Sequence, residues 1–97
     1  MVTHIVMIKF KEGTTKDEIL EIKKDLEALP NTIEGLKSME VGLNFASSQR
    51  AMDLVLTTKF DSKEDLKFYA TAPTHEAVKV KIKKCAEYTR VVDYINE

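Results

Sequence analysis

The stretch Val78-Lys79-Val80-Lys81-Ile82-Lys83 alternates apolar and basic residues with period two, and its reading decides the fold. Alternation of that kind suits a half-buried strand. Yet Val78, Ile82, Cys85 and Ala86 also recur at helical spacing, and His75-Glu76-Ala77 supplies residues that a helix tolerates directly after Pro73. A strand here would need a turn before Tyr88, and no Gly, Pro or Asn stands in place to make one. The spacing therefore predicts a helix.

Working outward, Tyr88 to Ile95 is β-branched and aromatic and reads as a closing strand. Upstream, Asp61 with Glu64 forms a capping-box pattern that opens a short helix carrying Leu66, Tyr69 and Ala70, which Pro73 interrupts. Met52 to Phe60 is a strand with Met52, Leu54, Leu56 and Phe60 on one face. The polar stretch Ala46 to Arg50 joins it as a hairpin to Ser38–Phe45, whose dry face is Met39, Val41, Leu43 and Phe45. Thr15 and Glu18 form another capping box, followed by Ile19, Ile22, Leu26 and Leu29 at helical spacing until Pro30-Asn31. The opening segment, Val2 to Phe10, is a strand apolar on both sides.

The order is β-α-β-β-α-β, an α+β ferredoxin-like fold in a single domain over residues 1–97, with a four-stranded antiparallel sheet and helices on one face. That arrangement leaves Ile5, Met7, Val55, Val91 and Ile95 on a face with no helix. Burying one large aliphatic side chain is worth ~1.5–3 kcal/mol, so five of them favour a lid. A second copy of the chain provides it, and a homodimer is predicted.

Composition limits the function classes. The chain has 97 residues, 15 Lys plus Arg against 16 Asp plus Glu, and a net charge of −1. No electrostatic footprint for nucleic acid or an anionic membrane is visible, and neither is expected as a partner. No apolar run approaches the ~20 residues of a spanning helix, and no leader-like segment opens the chain, so a cytoplasmic location is expected. Cys85 stands alone, and no HxxxH or CxxC spacing points to a transition metal.

Two constellations could carry chemistry. His4 lies on the even face of the first strand with Val2, Val6, Ile8 and Phe10. It reads either as a packed histidine near a strand end or as a polar group at the end of an apolar cavity. Tyr69, Pro73 and His75 form the other. A helix N-terminus disfavours imidazolium, which helps keep His75 neutral, and a nearby phenol could hold a substrate oxygen. The plainer alternative is a surface tyrosine and a histidine at a kink. Cys85 reads as a buried thiol, and Lys79, Lys81, Lys83 and Lys84 read as a solvated helix face.

Four blocks resemble the stress-responsive A/B barrel family, also called Dabb or dimeric α/β barrel. They are His4-Ile-Val-Met-Ile-Lys-Phe-Lys11, Ile33 to Asn44, Phe60 to Leu66 continuing through Tyr69, Pro73 and His75, and Val92-Asp93-Tyr94. A more distant likeness is to olivetolic acid cyclase, which closes a polyketide by an aldol reaction. The resemblance implies a ferredoxin-like monomer paired into a barrel. It also implies a site at Tyr69, His75 and His4, in a cavity that Val6, Ile8, Leu26 and Leu56 would line. There His75 would take a proton alpha to a carbonyl, Tyr69 would hold the carbonyl oxygen and His4 would support the cavity end. From some plant relatives it further implies a magnesium ion on the backbone carbonyls of Pro30, Ile33 and Leu36; no other cofactor is expected. The expected function is a homodimer binding a small apolar or carbonyl-containing molecule. A cyclase- or lyase-like enzyme and a non-catalytic structural oligomer are the alternatives.

Overall fold

Thr15 and Glu18 start the first helix as their spacing predicts. The Thr15 hydroxyl accepts the Glu18 amide at 3.1 Å, and the Glu18 carboxylate accepts the Thr15 amide at 2.9 Å. In the computed structural model, which describes residues 1–96, strand β1 spans Val2–Phe10 and helix α1 spans Lys16–Ala28. A 3-10 turn at Leu29–Asn31 follows, then β2 at Leu36–Leu43, β3 at Leu54–Phe60, α2 at Lys63–Thr71, α3 at Pro73–Cys85 and β4 at Ala86–Ile95. The strands pair antiparallel in the order β2-β3-β1-β4. This is the ferredoxin-like β-α-β-β-α-β arrangement, with its second helical crossover divided in two.

The division follows from Pro73. Ala72 is extended (ψ 136°), as the residue before a proline prefers, and Pro73 then occupies the first turn of α3, where its missing amide costs nothing. Val78–Lys83 is helical within α3, with Val78 buried and Val80 exposed. The cap of α2 lies one residue later than its sequence pattern suggests. Ser62 is the N-cap and accepts the Asp65 amide at 3.2 Å, while Asp61 pairs with Lys37 at 3.2 Å.

The core lies between the sheet and the helices. Val2, Ile8 and Phe10 of β1 pack with Ile22 and Leu26 of α1, Leu54, Leu56 and Phe60 of β3, and Tyr69 and Val78 of α2 and α3. Phe45 does not join them. Strand β2 ends at Leu43 because the Asn44 side chain bonds its own loop, donating to the Ala46 carbonyl and accepting the Ala46 amide, and Phe45 is fully exposed.

The opposite face has no helix over it, but two of its predicted residues belong elsewhere. In antiparallel pairs, directly opposed residues point to the same side. Val91 opposes Val6 and Ile95 opposes Val2, so both lie on the helix side, at an edge the helices do not reach. The uncovered face instead carries Ile5, Met7 and Val55 with Val92 and Tyr94, which oppose Ile5 and Thr3. Strand β4 is apolar at both parities, so alternation within it could not decide which set faces the helices.

Candidate functional site

Between the helix side of the sheet and α2–α3 lies a cavity of about 530 Å³, within the range of small-molecule sites. Its floor is Val6 and Ile8 of β1 with Leu56 of β3. Leu66, Tyr69 and Ala70 of α2, and His75, Lys79, Ile82 and Lys83 of α3, form the wall. Ala86, Thr89 and Val91 border the open β4 side, and His4 lines the cavity as well. The expected lining at Val6, Ile8 and Leu56 is therefore in place. Leu26 is not part of it: α1 packs this side chain fully buried in the core, apart from the cavity.

The sheet and the α2–α3 kink bring His4, Tyr69 and His75 together. The Tyr69 ring is 1% exposed and is held on three sides. His75 stacks on it with ring centroids 4.0 Å apart, Phe60 lies at 5.3 Å, and His4 meets it edge-on at 6.1 Å. The stacking follows from the kink, which returns α3 beside the end of α2 so that a ring six residues on meets the tyrosine. The Tyr69 hydroxyl is buried with no hydrogen-bond partner among the described residues. Buried polar groups are normally paired, so this one has an unfilled valence.

The ring nitrogens are differentiated by their partners. His75 Nδ1 lies 2.9 Å from the Tyr69 carbonyl, which can only accept, so Nδ1 carries the proton and the Nε2 of a neutral ring keeps a free lone pair. Burial pushes the His75 pKa below the ordinary imidazole value, with the Tyr69 carbonyl opposing. Burial also pushes the Tyr69 phenol well up, so it remains a proton donor. His4 donates from Nδ1 to the Asp93 carboxylate, which fixes that ring in the same sense. The site thus presents a hydrogen-bond donor and a free ring nitrogen beside apolar walls.

Asp93 lies outside the sequence-derived site. It opposes His4 in the β1–β4 register, a relation that no local spacing encodes. Lys79 and Lys83 also border the cavity, although they read as part of a solvated helix face. The helical four-residue step could have separated them from Lys81, which instead reaches Glu21 and Asp25 of α1 at 3.3 and 2.6 Å. Cys85 is buried beside Glu18, and burial raises its thiol pKa, consistent with an inert group.

Pro30, Ile33 and Leu36 do not line the cavity. The Ile33 carbonyl accepts the Leu36 amide at a long 3.4 Å, and the Asp65 side chain sits against Gly35 in the same turn. Carbonyls beside a carboxylate are hard oxygen donors, the type that magnesium takes. An ion held by Pro30, Ile33 and Leu36 would fasten the connection from α1 to β2 and would have no part in chemistry at Tyr69.

Comparison with known proteins accords with this fold. The chain belongs to the Stress responsive A/B Barrel Domain family (Dabb), whose pattern matches residues 2–96. It is 32% identical over 95 residues to the stress-response A/B barrel domain-containing protein At5g22580 of Arabidopsis thaliana, covering 95% of this chain and 78% of that protein. It is 31% identical over 96 residues to a second, longer stress-response A/B barrel domain-containing protein of Arabidopsis thaliana. That match covers 98% of this chain but only 36% of the longer protein. Among solved structures, a dimeric ferredoxin-like protein of unknown function from Bacteroides fragilis superposes with a TM-score of 0.83 at 35% identity, covering 96% of this chain and 93% of that one. Hydroxynitrile lyase from Passiflora edulis shares the fold, with a TM-score of 0.87 at 22% identity over 99% and 94% of the two chains.

Proposed function

We propose that the protein is a homodimer that holds a small apolar, carbonyl-containing molecule in the cavity between sheet and helices. The observation that carries this reading is the Tyr69 hydroxyl, a buried donor without a partner in the wall of an apolar cavity. Leaving such a group unpaired costs ~1–3 kcal/mol, and a ligand oxygen would remove that cost. The dimer is supported by the uncovered face at Met7, Val55 and Val92, and by the dimeric state of the Bacteroides fragilis relative. Native mass spectrometry of the protein purified from its own host tests both halves. Twice the 11.0 kDa chain mass, with a retained small molecule that Tyr69→Phe releases, is expected. A bare monomer overturns both.

A second reading is favoured by the His75 ring. With Nδ1–H committed to the Tyr69 carbonyl, Nε2 is free to take a proton from the carbon next to a bound carbonyl. The electron pair left behind would pass to the carbonyl oxygen, where the Tyr69 hydroxyl would donate a hydrogen bond. His4, held by Asp93, would support the cavity end. The Passiflora edulis hydroxynitrile lyase, on the same fold, is a lyase. Under this reading, His75→Ala abolishes turnover of a carbonyl substrate and leaves the dimer intact; unchanged turnover would remove the base assignment.

A further inference from the structure

The charged lysines bordering the cavity give its lining a single sign. Lys79 and Lys83 border it, and no Asp or Glu among the described residues does. The chain as a whole has a net charge of −1, so the bias is local and not inherited from a basic protein. Helix α3 creates it by spacing: His75, Lys79 and Lys83 fall at i, i+4 and i+8 on one helical face. At 1.5 Å per residue, Lys83 stands about 12 Å beyond His75 along the helix axis.

The two lysines differ in what they already hold. Lys79 donates to the Ala70 carbonyl and pairs with Glu76 at 2.9 Å. Lys83 has no hydrogen bond or ion pair with any other described residue. It is a solvated cation at the exposed rim of the cavity, at the opposite end of the helical face from the Tyr69–His75 pair, where a ligand anion could pair with it without displacing a protein partner among the described residues.

We propose that the cavity selects an amphipathic anion, with an apolar body along Val6, Ile8 and Leu56, a hydrogen-bond-accepting oxygen at Tyr69 and a carboxylate at Lys83. The proposal rests on the reading of the cavity as a binding site and adds the class of its ligand. The apolar section would span much of the ~12 Å that separates the two polar ends. A neutral molecule of the same shape would fill the walls and gain nothing from Lys83.

Decanoate and 1-decanol test this as a matched pair, with binding to the intact protein measured by titration calorimetry at low salt. Decanoate should bind about fivefold more tightly, the size of one partly screened ion pair. Lys83→Met should bring decanoate down to the affinity of 1-decanol, Lys83→Arg should retain the preference, and high salt should shrink it. Equal binding of the two probes would overturn the anion proposal while leaving the cavity reading standing. A preference that survives Lys83→Met would overturn the role of Lys83. Failure of both probes to bind would count against the cavity reading and, with it, the proposal.

Discussion

Tyr69 answers to two demands that pull apart. Its ring is core, stacked on His75 and packed on Phe60, but its hydroxyl is a buried donor with no acceptor among the described residues. Tyr69→Phe keeps the ring and removes the unpaired group, so it should stabilise the ligand-free protein by about 1 kcal/mol in urea denaturation. The same change should weaken binding of any ligand that uses the hydroxyl. A loss of stability of that size would show that the hydroxyl has a partner in the folded state. His75 gives a pH dependence with a definite sign. Burial lowers its folded pKa, so the unfolded chain binds its proton more readily. The contribution of His75 is fully present above the unfolded value of about 6.5 and is lost as pH falls through the lower folded value. Thermal melts between about pH 7 and 5 should therefore show a smaller decline for His75→Gln than for the parent. Tyr69 and His75 were legible in the sequence because they lie six residues apart across a proline. Asp93 and Lys83 were not, since one depends on strand register and the other on which face of α3 turns inward.

At the scale of elements, local signals served well wherever the chain stops or starts. The capping box at Thr15 and the break at Pro73 act as written. Val78–Lys83 shows why periodicity needs a second criterion: its alternation fits a strand, and the missing turn before Tyr88 excludes one. Phe45 shows the opposite failure, because an alternating pattern says nothing about where an Asn ends the ladder. Two glycines separate backbone from packing at the connections. Gly13 and Gly35 both adopt φ +90°, a region costly for other residues. A Cβ at Gly13 meets nothing within 4 Å, whereas one at Gly35 falls 2.9 Å from the Asp65 side chain. Gly13→Ala should thus cost only backbone strain, about 1 kcal/mol, and Gly35→Ala should cost more, up to about 3 kcal/mol. Chemical denaturation of the two variants checks the order; equal losses would mean that Asp65 yields freely.

For the whole molecule, the decisive fact is that one sheet serves two purposes on its two sides. The helix side holds the core and the cavity; the other side presents a half-buried Ile5 with the more exposed Met7, Val55, Val92 and Tyr94, and no helix over them. Met7 and Val55, at the centre of the sheet, are both 36% exposed and oppose each other across β1 and β3. Burying the remaining third of each would contribute about 0.5–1 kcal/mol, which a partner sheet would supply and water does not. Placing a charge there should therefore oppose association and little else. Met7→Glu is expected to convert the proposed dimer to a monomer in sedimentation velocity, with a helical circular dichroism signal unchanged from the parent. Because none of these five residues lines the cavity, that monomer should still bind decanoate. A variant that remains dimeric would place the interface elsewhere on the chain. A monomer that folds but has lost decanoate would mean that the pairing of the sheets also shapes the cavity on their far side, through the β4 edge that borders both.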